Sequence, residues 1–594
     1  MPRRQFGLVA SGPRLRSGLV LILVVIAAMG ARLFWLQGLQ PAAYATSAQQ
    51  QRTQKIPLIA HRGSITDRHG QPLALNVDAR AITANPKVIA AADCTRVRKT
   101  PCTPAEIAAV LAPLLHSSAA SIEEKLSNTK RGFVYLARGL EPAVGKAVRA
   151  LDLLGVGVDT ESIRIHPGGD LAANVVGFTD REGTQGLAGV ESAWGKVLAG
   201  KDGTQTAQFD GRGRMIPTGL EQIVPAVSGQ DVELTLDRDL QWYAQQMLAR
   251  KIAETQAVNG SVVVMDPRTG EVLAMATGPT FNPDDRSRTS AEDLRNPAIQ
   301  DSYEPGSVNK IITAAAALEA GVVTPDSVLT IPPTYQVGSH TVHDAEAHGL
   351  EHLTFTGVLA KSSNIGTVQV AQRLGEQRMH DALARFGFGV TTGLGLPGES
   401  RGLLPAVADW SGSSIATIPI GQGVTATAIQ VASVYATVAN GGVRVAPSIV
   451  RATIDGAGHR TAVAPPEQHR VISQQVATTL ALMLENVVTA EGTAPLAAVP
   501  GYRVAGKTGT AQRVVNGRYA LGNYTSSFIG FAPADAPRLV VAVVLQGTGK
   551  NGYFGGSTAG PVFKDVMSFG LNALRIAPTG TTAPHLRLDA DAAR

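Results

Sequence analysis

The feature that most constrains this chain is an almost wholly apolar stretch near its start, from Leu19 to Leu36, broken only by Arg32. Its length approaches what a helix needs to cross the hydrocarbon core of a bilayer. No acidic residue occurs before Asp67. The stretch is preceded by four arginines, Arg3, Arg4, Arg14 and Arg16. Because basic residues keep their side of such a helix in the cytoplasm, we expect a single-pass membrane protein whose remaining chain is exported.

A cleaved signal peptide is the competing interpretation, because small residues such as Ala27, Ala28 and Ala31 offer a cleavage site. The apolar stretch nevertheless continues through Phe34 and Trp35. This continuation favours an uncleaved anchor over residues 18–38, with residues 1–17 as a cytoplasmic tail.

Charge and composition exclude some classes of protein. The formal net charge is +6, and no Lys/Arg block is long enough to follow a nucleic-acid backbone, so no nucleic-acid partner is expected. Hydrophobic residues make up 44% of the chain and charged residues 17%, which indicates a sizeable folded core. The only cysteines, Cys94 and Cys102, lie in a predicted loop. If that loop is exported, a disulfide is favoured over two free thiols.

Residues 39–226 predict an irregular α+β module without a convergent catalytic set. Glycines and an Asp punctuate short apolar runs in residues 62–70, as in strands and turns. Residues 104–151 are expected to be largely helical, with Thr103 as the cap and Pro104 at the first helical position.

A second region, residues 227–576, begins with a strand and then a helix over Arg238 to Thr255. Two apolar runs around a Pro-Arg-Thr-Gly turn, within residues 260–275, predict a β-hairpin. Near the end we expect two more strands and a helix, at Ser526–Phe531, Leu539–Leu545 and Val562–Leu574. Strands at both ends around a helical middle imply one sheet assembled from the two ends. The polar residues that follow, 577–594, are expected to form a flexible tail.

Three short motifs in this second region carry candidate chemistry. The first is Ser307-Val308-Asn309-Lys310, where a Pro-Gly turn precedes a helical run. Ser307 is therefore expected to open a helix with Lys310 on the same face, and the helix N-terminus offers N–H groups where an oxyanion develops. Burial and a second nearby cation would lower the pKa of Lys310 enough for its amine to act as the base.

The second motif is Ser362-Ser363-Asn364, in which a hydroxyl relays a proton and an amide holds substrate. The third is Lys507-Thr508-Gly509-Thr510, where Lys507 supplies charge, Thr508 a hydroxyl and Gly509 room for a substrate backbone. Each motif is weak alone, and Ser127-Asn128-Thr129-Lys130 repeats the spacing of the first. In this order, the three together predict an active-site serine enzyme.

These motifs resemble the S-x-x-K, S-x-N and K-T-G motifs of penicillin-recognising serine enzymes. Over nearly the whole chain after the anchor, further stretches resemble class B penicillin-binding proteins: residues 62–70, 174–178, 186–191 and 295–297, and Gly421 to Gly423 with Gln430. Within class B, residues 304–307 and 361–366 are most similar to the septal, division-specific transpeptidase. An elongation-type class B transpeptidase is the alternative.

The resemblance implies an α+β fold in which a single N-terminal transmembrane helix leads to an elongated pedestal or dimerisation-type domain, residues 39–226. A transpeptidase domain follows over residues 227–576, with an antiparallel sheet flanked by a helical subdomain.

The resemblance also implies the chemistry of a peptidoglycan D,D-transpeptidase, which β-lactams would acylate at the same serine. Ser307 attacks the carbonyl between the terminal D-alanines of a stem peptide, D-Ala leaves, and an amino group of a second stem peptide closes the crosslink. Lys310 is the base, Ser362 passes a proton to the leaving amine, and Asn364 holds the acyl side chain. Lys507, Thr508 and Thr510 of the third motif bind the terminal carboxylate. The backbone N–H groups of Ser307 and Thr510 form the oxyanion hole. No metal or organic cofactor is required.

The expected setting is the inner (cell) membrane at the division septum, with the catalytic domain outside the cytoplasm. No glycosyltransferase module is recognisable before the pedestal. Glycan strands are therefore expected from a partner, a multi-spanning SEDS-type glycan polymerase, acting with other division proteins.

One cluster is weighed separately: His340, His343, His348 and His352, with Asp344, fall within thirteen residues before the second motif. Such a set could ligate zinc, but its spacing matches no metal pattern of the resembled family. Histidines exposed in a loop are the favoured interpretation.

Three other functions share the motifs. A β-lactamase needs a carboxylate-activated water, and no Glu-x-x-x-Asn-like element stands between Asn364 and Lys507. A D,D-carboxypeptidase uses water as the acceptor, but an anchor and a long leading module favour a transpeptidase. A non-catalytic penicillin sensor usually has several membrane spans and a cytoplasmic output domain, unlike this chain.

Overall fold

The computed structural model describes residues 12–39, 46, 49, 52–92, 94, 101–210, 215–219, 221–515, 517–549 and 551–591. Residues 1–11 of the predicted cytoplasmic tail and residues 592–594 of the predicted flexible tail lie outside these ranges. The chain divides into two compact units, residues 1–60 with 200–228 and residues 61–199 with 229–594.

The elements up to residue 234 are, in chain order, α1 (Gly12–Phe34), β1 (Thr53–Leu58), β2 (Ile65–Thr66), β3 (Pro72–Ala84), α2 (Pro86–Ala90), α3 (Pro104–Leu115), α4 (Ala119–Ser127), β4 (Val134–Leu140), α5 (Pro142–Ala150), β5 (Val156–Ile165), α6 (Ala173–Val176), α7 (Gly189–Ala193), α8 (Gly195–Leu198), β6 (Gly203–Gln208), β7 (Glu221–Val224) and β8 (Asp231–Leu234).

The elements after residue 234 are α9 (Arg238–Thr255), β9 (Asn259–Met265), β10 (Val272–Gly278), α10 (Pro297–Gln300), α11 (Lys310–Glu319), β11 (Val328–Ile331), β12 (Tyr335–Val337), β13 (His340–Val342), β14 (Glu351–Thr354), α12 (Phe355–Ala360), α13 (Asn364–Leu374), α14 (Glu376–Arg385), α15 (Ser414–Thr417), α16 (Ala428–Ala439), β15 (Val443–Val445), β16 (Val450–Ile454), β17 (Arg460–Ala462), β18 (Gln468–Arg470), α17 (Gln474–Glu485), β19 (Ala505–Val515), β20 (Arg518–Ala532), β21 (Leu539–Thr548) and α18 (Gly555–Ala573).

Helix α1 continues into a π-helical turn over Trp35–Leu39. Within it, Leu15–Gly38 is the one helical stretch of the described chain that is long and apolar enough to cross a membrane, with a mean hydropathy of 2.5. None of that stretch is buried against the rest of the protein. The sequence prediction of one apolar spanning helix at this place is confirmed in length and composition.

The unit that contains α1 also contains a small antiparallel sheet with strand order β1-β6-β7. Thr53 faces Gln208 at one end of the β1–β6 pair and Leu58 faces Gly203 at the other. The backbone N–H of Ala60 donates to Asp202 where β1 ends.

The larger unit begins with a seven-stranded sheet, in order β17-β16-β8-β2-β3-β4 with β5 also paired to β3. It joins strands from the predicted pedestal to strands from the predicted catalytic region, since β2 pairs in parallel with β8. A buried ion cluster lies beside it: Glu191 accepts from Arg62 Nε at 2.6 Å and from Arg164 Nε at 2.7 Å. This cluster joins residue 62 of the first segment that resembles class B proteins to residue 191 of another.

A second, smaller core is formed mainly by α3, α4, β3, β4 and α5. Thr103 caps α3 through a capping box with Glu106, and Pro104 occupies the first turn, as the sequence predicts. The expectation that residues 104–151 are largely helical is wrong at β4, which pairs with β3 and buries Val134 and Leu136. The sheet neighbour overrides a local pattern that favours helix.

The sheet that carries the candidate site has five antiparallel strands in the order β10-β9-β21-β20-β19. It unites the predicted N-terminal hairpin with the predicted C-terminal strands, which confirms a sheet built from both ends of the region. Helices α9 and α18 pack on it and on each other, with Tyr243 stacked on Phe569 at 4.3 Å. Helix α16 also packs on this sheet and is buried along its whole length.

The sequence predictions for the cysteine pair and for the C-terminal tail have different outcomes. The disulfide between Cys94 and Cys102 is present, with Cα atoms 5.8 Å apart. The flexible tail expected over residues 577–594 is wrong for residues 586–591: Leu588 is buried, and Asp589 forms a bridge with Leu353 of β14. Leu586 packs against the main core and Leu588 is buried, although the composition of this segment is mostly polar.

Candidate active site

Ser307 lies in a 3₁₀ turn, Gly306–Asn309, and the α-helix proper begins one residue later at Lys310. Gly306 has a φ of +59°, and its N–H donates to the carbonyl of Gly421 at 3.0 Å. A Cβ on Gly421 would lie 2.2 Å from the Gly306 carbonyl oxygen. Ser307 therefore lies at the start of a helix, as predicted, but the first turn is a tighter 3₁₀ turn. Gly421 packs closely against this turn.

Two buried side chains fix the same turn from inside the domain. The hydroxyl of Tyr435 donates to the carbonyl of Val308 at 3.0 Å. The side-chain amide of Asn309 donates to the carbonyl of Ile418, also at 3.0 Å. The turn that carries Ser307 is thus held by side chains of its own segment and of α16.

Lys310 is fully buried, and its ammonium donates to the carbonyl of Ser362 at 2.6 Å and to Oδ1 of Asn364 at 2.7 Å. A longer contact of 3.3 Å reaches the hydroxyl of Ser362. Burial lowers the pKa of Lys310 to about 7, against an opposing effect of the Asp344 carboxylate. Within the described chain, the side-chain hydrogen bonds of Lys310 run to the second motif, whereas its backbone N–H donates to the carbonyl of Ser307.

The second motif forms the turn between α12 and α13. Ser362 has a φ of +61°, an uncommon conformation for a residue other than glycine, asparagine or aspartate. Ser363 caps α13 by accepting from the N–H of Gly366. Asn364 donates from its side chain to the carbonyl of His343 while its Oδ1 accepts from Lys310.

The third motif lies on β19, at the edge of the five-stranded sheet. Lys507 is fully buried and its ammonium donates to the hydroxyl of Ser362 at 2.8 Å. Burial, and secondly the charge of Lys310, lowers the pKa of Lys507 well below its usual value. A Cβ on Gly509 would lie 3.0 Å from the Pro305 carbonyl oxygen, so the missing side chain lets β19 approach the nucleophile turn.

These elements meet around one cleft of about 760 Å³. It is lined by Ser307, Ser362, Asn364, Thr508 and Thr510, while Lys310 and Lys507 lie beneath Ser362. The structure therefore brings the members of all three motifs together. Ser127, which repeats the spacing of the first motif, lies at the end of α4 and outside this cleft.

Sequence reasoning missed Asp344 as part of the site. Its carboxylate accepts from the hydroxyl of Ser363 at 2.7 Å and from the N–H groups of Asn364 and Ile365. It therefore occupies the N-terminus of α13, where a negative charge is favourable. A helix that begins at Asn364 needs a hydrogen-bond acceptor for its first N–H groups, but nothing in the sequence indicates which loop supplies that acceptor.

Two further residues support the motifs without belonging to them. The hydroxyl of Thr493 lies 2.9 Å from that of Thr508 and also lines the cleft. Glu304 accepts from the N–H of Gly423 at 2.8 Å and from the hydroxyl of Tyr519 at 3.1 Å. Glu304, three residues before Ser307, thereby connects this loop to the segment after Gly421 by a hydrogen bond.

The histidine cluster is dispersed in the fold. His340 and His343 are exposed, whereas His348 lies 3.2 Å from Asp344 and His352 lies 2.8 Å from Asp591. Over the described ranges, no three His, Cys, Asp or Glu side chains are placed to hold a metal ion.

Comparison with known proteins places this site in a family. The model of the penicillin binding protein transpeptidase domain matches residues 260–568, and that of the penicillin-binding protein dimerisation domain matches residues 57–234. The chain belongs to the class B penicillin-binding proteins. The matched transpeptidase segment contains all three motifs and the whole five-stranded sheet except Asn259.

Relatives of this class B penicillin-binding protein extend over most of its length. Penicillin-binding protein PbpB of Mycobacterium tuberculosis is 41% identical over 595 residues, covering 97% of this chain and 87% of the relative. Peptidoglycan D,D-transpeptidase FtsI of Escherichia coli K12 is 35% identical over 566 residues, covering 94% and 92% respectively. A crystal structure of penicillin binding protein 3 from Mycobacterium tuberculosis, complexed with aztreonam, aligns with a TM-score of 0.70 at 37% identity, covering 90% of this chain and all of that one.

Proposed function

We propose that this penicillin-binding protein is a peptidoglycan D,D-transpeptidase that works through an acyl-enzyme on Ser307. The observation that carries the proposal is the cleft in which Ser307 lies beside Ser362 and Asn364, above the buried amine of Lys310. A buried amine whose pKa is close to 7 is uncharged in a useful fraction of molecules at neutral pH, and an uncharged amine can accept a proton.

In the acylation step, Lys310 takes the proton of the Ser307 hydroxyl as its oxygen attacks the carbonyl between the two terminal D-alanines. The backbone N–H groups of Ser307 and Thr510 stabilise the oxyanion. When the tetrahedral intermediate collapses, Ser362 passes a proton from the lysine pair to the nitrogen of the departing D-Ala. Its contacts with both amines suit Ser362 to that relay. Asn364 holds the acyl part of the donor peptide.

The terminal carboxylate of the donor binds at the third motif, to Lys507, Thr508 and Thr510, with Gly509 providing access. An arriving carboxylate raises the pKa of Lys507, which burial and Lys310 otherwise lower. Substrate binding therefore favours a proton on Lys507 and, by repulsion, a neutral Lys310. Binding of the correct peptide thus prepares the base.

In the second half of the reaction, an amino group of another stem peptide attacks the acyl-enzyme and Ser307 is released with its proton. The products are the crosslinked peptide and free D-Ala. We propose that no metal or organic cofactor takes part, because the two lysines and the backbone N–H groups supply the proton transfers and the charge stabilisation.

The experiment that tests this function supplies the solubilised protein with glycan strands that carry pentapeptide stems and measures two products by mass spectrometry. We expect peptide dimers and free D-Ala in equal amounts. D-Ala with only shortened monomers would indicate a D,D-carboxypeptidase instead, and rapid turnover of penicillin would indicate a β-lactamase.

We further propose the setting predicted from the sequence. Residues 39–226 form the pedestal and 227–576 the catalytic domain, with the N-terminus in the cytoplasm and the enzyme at the division septum. The four arginines before Leu19 support this orientation. A protease added to intact spheroplasts should digest the catalytic domain and spare an N-terminal tag, and the opposite pattern would reverse the orientation.

A multi-spanning SEDS-type glycan polymerase is the partner that we propose for α1. The transpeptidase joins only stems already carried on glycan strands, and Ala27, Ala28 and Gly30 offer α1 a small-residue surface for close packing in a bilayer. Among the residues that the structure describes, a Cβ on Gly30 would meet nothing within 4 Å, which leaves room there for a partner helix. Replacing α1 by an unrelated transmembrane helix should keep penicillin binding but abolish division. Normal division would reduce α1 to a tether.

A further inference from the structure

The C-terminal segment 586–591, which we name the strap, is built into the fold next to the second motif. Leu588 is buried, and its carbonyl accepts from the N–H of Thr354 at 2.9 Å. Asp589 pairs with Leu353, and the N–H of Ala590 donates to the carbonyl of His352 at 2.8 Å. The strap therefore runs antiparallel to β14, from the beginning of α12 to His352.

Side-chain contacts secure both ends of the strap. The hydroxyl of Thr354, the cap of α12, donates to the carbonyl of Arg587 at 2.6 Å. His352 and Asp591 lie 2.8 Å apart at the far end. Upstream, Arg503 donates to the hydroxyl of Thr581 at 3.0 Å, which holds the incoming chain.

Gly357 shows how closely the strap fits α12. A Cβ on this helical glycine would lie 2.1 Å from the carbonyl oxygen of Leu588. A glycine inside a helix is less favourable than an alanine at the same position. The three atoms nearest to the added Cβ all belong to Leu588, so the strap is the neighbour that favours glycine at this position.

The far end of α12 leads directly into the second motif. The N–H of Lys361 donates to the carbonyl of Gly357, that of Ser362 to Leu359, and that of Ser363 to Val358. The turn that holds Ser362 in its unusual backbone conformation is therefore built on the helix that the strap contacts. Both catalytic lysines donate to the Ser362 hydroxyl, so a shift of α12 changes their geometry.

We propose that the strap is a positioning element for Ser362: by fixing α12 against β14 it sets the place of the proton relay in the acylation step. The proposal rests on the proposed function of Ser307, Lys310 and Ser362. None of the strap residues lines the cleft, and their effect passes through Thr354 and Gly357.

The test measures penicillin acylation of the full chain and its variants, separating the acylation rate constant from the dissociation constant of the first complex. Gly357→Ala, which collides with the strap, should lower the rate constant about tenfold to a hundredfold. The dissociation constant should stay unchanged, because the carboxylate site on β19 is not altered. A merely structural role would lower the fraction of labelled protein and leave the rate constant of the folded molecules unchanged.

A shortened chain that ends at His585, and therefore lacks the strap, is the second variant. It should acylate as slowly as Gly357→Ala, and adding Gly357→Ala to it should slow it no further, because the collision partner is gone. Gly456→Ala is the matched control, since its Cβ meets nothing within 4 Å, and it should leave the rate unchanged.

Equal slowing by Gly357→Ala in both chains, or full activity of the shortened chain, would overturn the proposal. If the shortened chain does not fold, an unchanged rate constant for Gly357→Ala in the full chain overturns it alone. An unaltered chain that is never acylated would instead refute the proposed function, so the two failures are distinguishable.

Discussion

Lys310 and Lys507 donate to one and the same atom, the hydroxyl oxygen of Ser362, over distances of 3.3 and 2.8 Å. Both amines are fully buried, and two neighbouring positive charges in such a site are unfavourable. Their closeness therefore favours the loss of a proton from one of the two amines at neutral pH. The two contacts also support the proposed role of Ser362 as the group that relays a proton between the nucleophile, the base and the leaving amine.

Acylation should depend on pH through Lys310. Because burial lowers the pKa of Lys310 to about 7, its neutral, basic form becomes more abundant as pH rises. We expect the acylation rate constant for penicillin to increase from about pH 6 to about pH 8 and then level off. Lys310→Arg keeps a positive charge that is not lost in this range and should be slower by about 10²–10⁴-fold at every pH. A flat profile for the unaltered protein would contradict Lys310 as the base.

Asp344→Asn should move that profile. The Asp344 carboxylate raises the pKa of Lys310 against the effect of burial. Removing its charge therefore lowers the pKa further, and the rise in acylation should occur at a lower pH than in the unaltered protein. The nearly isosteric amide retains an oxygen that accepts from the N–H groups of Asn364 and Ile365.

The matched control for Asp344→Asn is Glu346→Gln, which removes the same charge from an exposed position of the same loop. Screening by water and salt should leave the profile of that variant in place. A shift to higher pH in Asp344→Asn, or equal shifts in both variants, would show that the charge of Asp344 does not act on Lys310.

Thr493→Val should weaken the carboxylate site. The hydroxyl of Thr493 lies 2.9 Å from that of Thr508 and orients it. Without this partner, the dissociation constant of the first penicillin complex should rise about tenfold, as expected for one lost hydrogen bond. The acylation rate constant should change less. Thr493→Ser restores the hydroxyl and should restore binding, and failure of that rescue would reduce Thr493 to a packing residue.

Glu191→Gln should destabilise the larger unit. Arg62 and Arg164 both donate to this carboxylate, and all three side chains are at most 3% exposed. Removing the charge leaves two buried guanidinium groups without their counter-ion, at a cost of about 3–5 kcal/mol in the free energy of unfolding. Urea denaturation measures this change.

The control for Glu191→Gln is Glu182→Gln, since Glu182 is 58% exposed and lies 3.5 Å from Arg138. Its effect should be about 0.5 kcal/mol or less. Comparable losses in the two variants would mean that burial of the ion cluster does not determine its contribution.

The parts of this molecule that the sequence predicts are those with strong local signals. The helix over Arg238–Thr255 matches the prediction at both ends, and the capping residue Thr103 and the Cys94–Cys102 pairing are also found. The three motifs were predicted to converge because their residue types serve one reaction, and they do line or support one cleft.

Features that depend on distant contacts were missed. Strand β4 forms because β3 is available as a partner, and a window of residues 104–151 cannot contain that information. Asp344 reaches α13 from a separate loop, and the buried Leu588 lies in a polar tail that was expected to be flexible. In each case the deciding partner lies far along the chain or in an irregular segment.

Mass spectrometry of the solubilised full chain after exposure to penicillin decides whether Ser307 is the acylated nucleophile. We predict one adduct per chain, on the peptide that contains Ser307, stable over many minutes and absent from Ser307→Ala. That variant should keep its melting temperature, so that loss of label reports chemistry and not unfolding. Three results would show that Ser307 is not the acylated nucleophile: label on Ser127, label that persists in Ser307→Ala, or a folded chain without label.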